Sequence, residues 1–394
     1  MIKTIVFIIL LVLVAVSLLS MLVQTGKILY KKTKSKDCEN IRKNRIKVFR
    51  MFLVFTFMAV GIVFISQISA YTPKIESERD NAISELIEIE VNGRKEWVSI
   101  RGNDLNNPIL LFLAGGPGGT QLGAVRRNLG ELEEEFIVAN WEQPGSGKSY
   151  NALPIHNITP ETYIKDGTSL TKYLLERFNK DKIYLMGESW GSALGIFLIE
   201  ENPENYYAFI GTGQMVAFEE TEKECYNLAL KIAEEKNDAD KTEELKKLGL
   251  PPYYGKNMAL KAAAYLQYLS TEMAHNPKIH NAGYETFADL SSSEYGIMDQ
   301  INFFRGVLTT FSNVYPQLYE IDLRENYSKV DVPVYFFIGR HDINAPTHLA
   351  EGYFNQLQAP DKKLIWFENS GHSPWINENE LFCEKTVELF YQHK

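Results

Sequence analysis

Five residues carry the sharpest chemical signal in this chain: Gly187-Glu188-Ser189-Trp190-Gly191. They follow a short apolar run, Ile183–Met186, and precede a helical pattern that begins near Ser192. A serine in a tight strand-to-helix turn presents its Oγ at a helix N-terminus, where the dipole favours developing negative charge. Small residues two before and two after relieve the crowding of so sharp a turn. In that setting Ser189 reads as the nucleophile of an acyl transfer.

A nucleophilic serine needs a base, and the base needs an orienting carboxylate. Val332–Ile338 is an apolar run that leads into Gly339-Arg340-His341-Asp342. Leu364–Phe367 leads into Asn369-Ser370-Gly371-His372. Asp342 and His372 therefore fall after strands, where sites form in open α/β sheets. The order serine, acid, histidine suits a nucleophile on a strand–turn–helix. Of the seven histidines, His341 shares its loop with Asp342 and should point elsewhere. His348 is a second competitor, and His156, His275, His280 and His393 lack a strand-end setting.

Acyl transfer also needs donors for an oxyanion. Ile109–Leu113 ends in Ala114-Gly115-Gly116-Pro117-Gly118-Gly119, a loop whose backbone N–H groups are not shielded by side chains. Gly116 and Trp190 are the expected donors, with Gly115 lining the substrate. The loop is not a phosphate cradle, since neither G-x-x-x-x-G-K-[ST] nor a helix-opening G-x-G-x-x-G is present.

These residues must be positioned by a sheet. Glu85–Val91 alternates apolar and polar, Asn92-Gly93 signals a hairpin turn, and Trp97–Ile100 supplies the partner strand. Continuous apolar runs follow at 109–113, 136–139, 183–186, 207–210, 332–338 and 364–367, as buried parallel strands require. Segments such as 160–179 and 192–201 are long enough for crossover helices. The rhythm is that of an α/β fold, with a mostly parallel central sheet flanked by helices. Between 214 and 330 the pattern is helical: 218–236 and 257–275 read as amphipathic helices, consistent with a cap inserted over the site. The expected organisation is 1–70 membrane anchor, 71–83 linker, 84–213 first part of the core, 214–330 helical cap and 331–394 second part of the core.

Charge divides the chain sharply. Residues 1–50 hold 11 basic and 2 acidic side chains, a net of +9, while the remainder holds 30 basic and 48 acidic. An acidic globular part lacks the clustered Lys and Arg that phosphate backbones need, so nucleic acid is excluded as its partner. Thr4–Val23 and Met51–Ala70 are uncharged stretches of 20 residues each, long enough to cross the hydrocarbon layer. The basic stretch between them reads as a loop and should remain cytoplasmic. That predicts a two-span hairpin in the plasma membrane, with the globular part extracellular. A signal peptide is the competing reading of the first span, but no small-residue cleavage site follows it. Cys38, Cys225 and Cys383 show no metal-ligand spacing. Three unpaired thiols are expected, with a Cys225–Cys383 bridge the alternative.

Together, these motifs resemble the proline iminopeptidase group of α/β-hydrolases, the S33 peptidase family. Its pattern H-G-G-P-G, D-Q-R-G-x-G-x-S, G-G-S-W-G, G-x-x-D, G-H is matched by residues 114–118, 142–149, 187–191, 339–342 and 371–372. Departures are Ala114 for histidine, Glu142 for aspartate, Pro144 for arginine and Glu188 for glycine. The resemblance implies an α/β-hydrolase fold with a helical cap, spanning about residues 85–392. It also implies an aminopeptidase that releases N-terminal proline or another residue through an acyl-enzyme on Ser189, without metal or organic cofactor. Cap carboxylates would then bind the substrate amine, with Glu219, Glu220, Glu222 and Glu272 as candidates. The alternatives are an esterase of small or lipid esters, suited to a bilayer neighbour, and a catalytically silent membrane-anchored binding module.

Overall fold

The structure, a computed structural model, describes residues 2–76, 81–281 and 283–393. Part of the expected linker, residues 77–80, lies outside the described residues. The chain divides into two compact units: Met1–Ala70 with Leu290–Gln300, and Tyr71–Asp289 with Ile301–Lys394.

In the first unit, α1 (Ile2–Thr33) and α2 (Glu39–Ile68) pack as a hairpin. Both are long and apolar enough to cross a membrane. Their apolar side chains point outward: Val12, Leu19, Phe57 and Phe64 are all exposed. The basic stretch is a loop only over Lys34–Cys38. Elsewhere it lengthens both helices beyond the apolar runs, because Lys and Arg are good helix formers. Lys31 and Lys32 in the last turn of α1 also complement its dipole.

Leu290–Gln300 joins this unit through the end of α2. The Ile297 N–H donates to Ser66 Oγ and the Met298 N–H to Gln67 Oε1, each at 3.0 Å. Gln67 Nε2 donates to Asp299 Oδ1 at 3.0 Å. These side chains satisfy donors at a helix start that would otherwise have no partner. A Cβ on Gly296 would lie 1.8 Å from Gln67 Oε1, so a side chain there would have to displace the glutamine that holds this helix start.

The second unit is built on an eight-stranded sheet: β1 (Ile83–Val91), β2 (Arg94–Gly102), β3 (Ile109–Leu113), β4 (Ile137–Glu142), β5 (Ile183–Glu188), β6 (Tyr206–Thr212), β7 (Val334–Gly339) and β8 (Lys362–Phe367). The spatial order is β1-β2-β4-β3-β5-β6-β7-β8. β1 and β2 pair antiparallel and β2 meets β4 antiparallel; the rest is parallel. β3 explains why its sequence is continuously apolar. Ile109, Leu111 and Leu113 pack into one core and Leu110 and Phe112 into the other, one on each face of the sheet. Each such fully buried side chain contributes about 1.5–3 kcal/mol relative to exposure.

Helices cover both faces. They include α3 (Leu122–Asn128), α4 (Pro160–Phe178) and α5 (Trp190–Glu201). α4 begins with a capping box: Thr159 accepts from the Thr162 N–H and Thr162 accepts in return, with Pro160 in the first turn. It ends at Asn179 in the left-handed conformation. Between β6 and β7 the chain forms α6 (Phe218–Glu235), α7 (Ala239–Leu248), α8 (Met258–Ala274), α9 (Thr286–Leu290) and α10 (Ile297–Arg305), then shorter helical turns.

One departure from the sequence reading has a clear cause. β4 runs on through Asn140 to Glu142, because these polar residues are buried among partners rather than solvated. As expected, Cys225 and Cys383 are both buried free thiols, and no bridge joins them. The Cys225 thiol instead donates to the carbonyls of Ile343 and Asn344.

Candidate active site

Ser189 sits at the C-terminal end of β5 with φ 54° and ψ −122°, a backbone state that an ordinary side chain avoids. Strain of this kind persists only when surrounding contacts impose it. Here the Ser189 N–H donates to Thr212 O at 3.0 Å, and Ser192 Oγ donates to Ser189 O at 2.6 Å. The turn is so tight that a Cβ on Gly187 would fall 2.1 Å from Gly191 O. One on Gly191 would fall 2.1 Å from Leu113 O. Two glycines flanking the serine are thus a steric necessity.

Asp342 follows β7 and is buried. Its Oδ1 accepts from the N–H groups of Asn344 and Ala345, at 2.8 and 2.9 Å. This leaves Oδ2 facing His372 Nδ1, 2.9 Å away. Burial alone would lower the imidazole pKa. The charge and hydrogen bond of Asp342, with the charge of Glu188, outweigh burial and raise it to about 9. Thr212 and Gly213 link the histidine to the nucleophile turn. Thr212 holds the Ser189 N–H, and a Cβ on Gly213 would lie 2.8 Å from His372 Cε1.

The glycine loop after β3 closes on the same point. A Cβ on Gly115 would stand 2.9 Å from Glu188 Oε2 and 3.3 Å from Ser189 Cβ. The Gly115 N–H donates to Gln121 Oε1 at 3.3 Å. Gln143 ties this loop to the nucleophile turn. Its Nε2 donates to Ala114 O, and its Oε1 accepts from the Trp190 indole N–H, each at 3.0 Å. Glu142, the aspartate replacement, accepts from Thr120 and from the Lys148 N–H, and so shapes the loop behind the site.

The four cap acids have different fates. Glu219 pairs with Lys223, Glu220 with Arg324 and Glu272 with Lys236, all where solvent reaches them. Glu222 is fully buried. It accepts from Tyr315 Oη at 2.9 Å and from Tyr265. Burial pushes its carboxyl up to about 7, against the pull of the two hydroxyls.

Sequence reasoning treated Glu188 only as a departure from a glycine and missed its partners Gln121, Tyr284 and Ser373. An acidic residue inside the nucleophile motif was the available signal. Among the described residues, no group of three or more His, Cys, Asp or Glu side chains is arranged to hold a metal ion.

The chain is 32% identical over 303 residues to the probable aminopeptidase YbaC of Bacillus subtilis, covering 77% of this chain and 95% of that protein. It belongs to the S33 serine aminopeptidase family of α/β-hydrolases. The family's model, described as serine aminopeptidase S33, matches residues 131–242. A proline iminopeptidase of Lactobacillus crispatus is 24% identical, over 76% of this chain and 96% of its own. Among solved structures, the proline iminopeptidase of Mycobacterium smegmatis superposes with a TM-score of 0.57 at 16% identity. It covers 78% of this chain and 98% of its own. At that identity the likeness speaks for the fold, and the fold is that of the family.

Proposed function

We propose that this protein is a membrane-anchored serine aminopeptidase that releases the N-terminal residue of peptides, proline among them, through an acyl-enzyme. The supporting observation is the Asp342–His372 pair at 2.9 Å, linked through Gly213 and Thr212 to the serine that the backbone holds at φ 54°. Ser189 Oγ attacks the scissile carbonyl while His372 takes its proton; Asp342 fixes the imidazole and steadies its charge. The N–H groups of Gly116 and Trp190 receive the oxyanion, and each such donor is worth about 10²–10³ in rate. With the Gly115 N–H engaged by Gln121, Gly116 is the loop's donor. His372 returns the proton to the leaving amine, and water then releases the acyl group. The substrate's ammonium is assigned to Glu222, the one of the four candidate acids that is fully buried, whose charge is present above about pH 7.

Two apolar helices with a basic turn between them support a hairpin whose turn is cytoplasmic and whose catalytic unit is extracellular. Protease added to intact cells should then digest the catalytic unit, and full protection would refute this orientation. The chemistry is tested by a panel of aminoacyl chromogenic amides beside short acyl esters, with Ser189→Ala as control. Amide cleavage led by prolyl substrates and abolished in the variant is expected. Cleavage of esters alone would replace the aminopeptidase reading with an esterase.

A further inference from the structure

Glu188 is the last residue of β5 and is 2% exposed. Its Oε1 accepts from Ser373 Oγ at 2.6 Å. Its Oε2 accepts from Gln121 Nε2 at 2.6 Å and from Tyr284 Oη at 2.8 Å. These donors come from three places: the residue after His372, the loop after β3 and the irregular segment that precedes α9. All three are neutral. A buried carboxylate held by neutral donors alone is costly, because nothing offsets its lost hydration charge for charge. Such a charge is useful where a positive one develops in the reaction. The group beside it that gains positive charge is His372, joined to Ser373 through one peptide bond.

We propose that Glu188 is a positioning residue of the reaction: it fixes the histidine loop through Ser373 and supplies, with Asp342, the second negative charge around the imidazolium. The inference rests on the reading of Ser189 and His372 given above. As the Ser189 Oγ–carbon bond forms, the carbonyl electron pair moves to oxygen and the serine proton to the imidazole. The ring becomes cationic 2.9 Å from Asp342 Oδ2 and next in the chain to Ser373, whose hydroxyl Glu188 holds. Two further titratable groups meet its loop at Asn369 and Ser370: Glu378 Oε2 accepts from the Asn369 N–H and Ser370 Oγ, and the His341 N–H donates to Ser370 O, while Gly213, Met273 and Ile279 add no charge. The same carboxylate holds Tyr284, so the nucleophile turn, the histidine loop and the cap share one anchor. That cap segment is also bonded to the histidine loop, from the His280 N–H to Asn369 O and from Asn281 Nδ2 to Ile376 O.

The test uses the full-length chain in detergent. Carbethoxylation of His372 by diethyl pyrocarbonate, read by peptide mass spectrometry across pH, reports the imidazole midpoint whether or not Ser189 is the nucleophile. Glu188→Gln should lower that midpoint by about one pH unit, and Glu188→Asp should keep it near the unmodified value. An unmoved midpoint in folded Glu188→Gln overturns the electrostatic role. Should that variant not fold, Ser373→Ala decides on positioning. It keeps the charge, so fluorophosphonate labelling of Ser189 should slow about tenfold with the midpoint unchanged. Unaltered labelling would overturn the proposal. Labelling that survives Ser189→Ala would instead refute the nucleophile, a failure separate from that of Glu188.

Discussion

The nucleophile turn and the interior of the cap are built from different parts of the chain's chemistry. Around Ser189 the geometry is made by backbone: a carbonyl from Thr212, a serine at positive φ, and glycines whose neighbours leave no room for a methyl group. Around Glu222 it is made by side chains, two tyrosine hydroxyls converging on one carboxylate from α8 and from the turns after α10. Backbone geometry is nearly intolerant of substitution, because any added atom must displace the main chain. A side-chain cluster can be altered one group at a time. One region leaves no room for an added atom, while the other can be altered side chain by side chain.

Gly191→Ala tests the rigid side most severely. Its Cβ meets Leu113 O at 2.1 Å, so a loss of about 3 kcal/mol or more and no fluorophosphonate labelling are expected. Thermal melting with labelling measures both, and a stable, labelled variant would erase the contrast. Asp342→Asn comes next. The amide can keep the Oδ1 bonds to Asn344 and Ala345, so folding should survive. The imidazole loses its charge partner and its tautomer, and hydrolysis should fall by up to about 10⁴.

His372 gives an opposed pair of pH trends. Its folded pKa of about 9 lies above the unfolded value of about 6.5. The stability it contributes is complete below about pH 6.5 and is lost as pH rises through 9. Hydrolysis needs the neutral ring, so its rate should climb along an acid limb centred near 9. A pH–rate profile beside melting curves checks both, and a limb near 6 would overturn the coupling to Asp342.

On the cap side, Glu222 is protonated more readily when folded, with its carboxyl at about 7. Its contribution is complete below the unfolded value of about 4.3 and is lost as pH rises through 7. Glu222→Gln should flatten the melting temperature across that window. The smallest effects belong to Glu219→Gln and Glu220→Gln. They break surface pairs with Lys223 and Arg324 worth about 0–1 kcal/mol each. Peptide hydrolysis should stay within about twofold, since surface substitutions of this size rarely reach a distant site.

Much of this was legible along the chain because it is local. Apolar runs locate strands, since a strand covered on both faces has no polar side to show. The turn motif locates Ser189, because its sterics involve residues two apart. Asp342 and His372 could be placed after strands without knowing how those strands pair. Where a polar residue is buried the local pattern ends early: the apolar run stops at Ala139, and tertiary partners carry β4 to Glu142. The basic stretch read as a loop became helix for a reason equally hidden from charge counting, the helix propensity of Lys and Arg.

By itself the sequence determined the α/β rhythm, two apolar segments of spanning length, and the residue types able to perform acyl transfer. Only the tertiary structure decided which carboxylates are surface pairs and which are buried. Glu219, Glu220 and Glu222 lie within one helical turn of sequence, yet two face cations and the third faces tyrosines. It also decided that Glu188 would gather donors 67, 96 and 185 residues away in the chain. A carboxylate's role depends on the dielectric and the donors around it, and those are contributed by segments that only folding brings together.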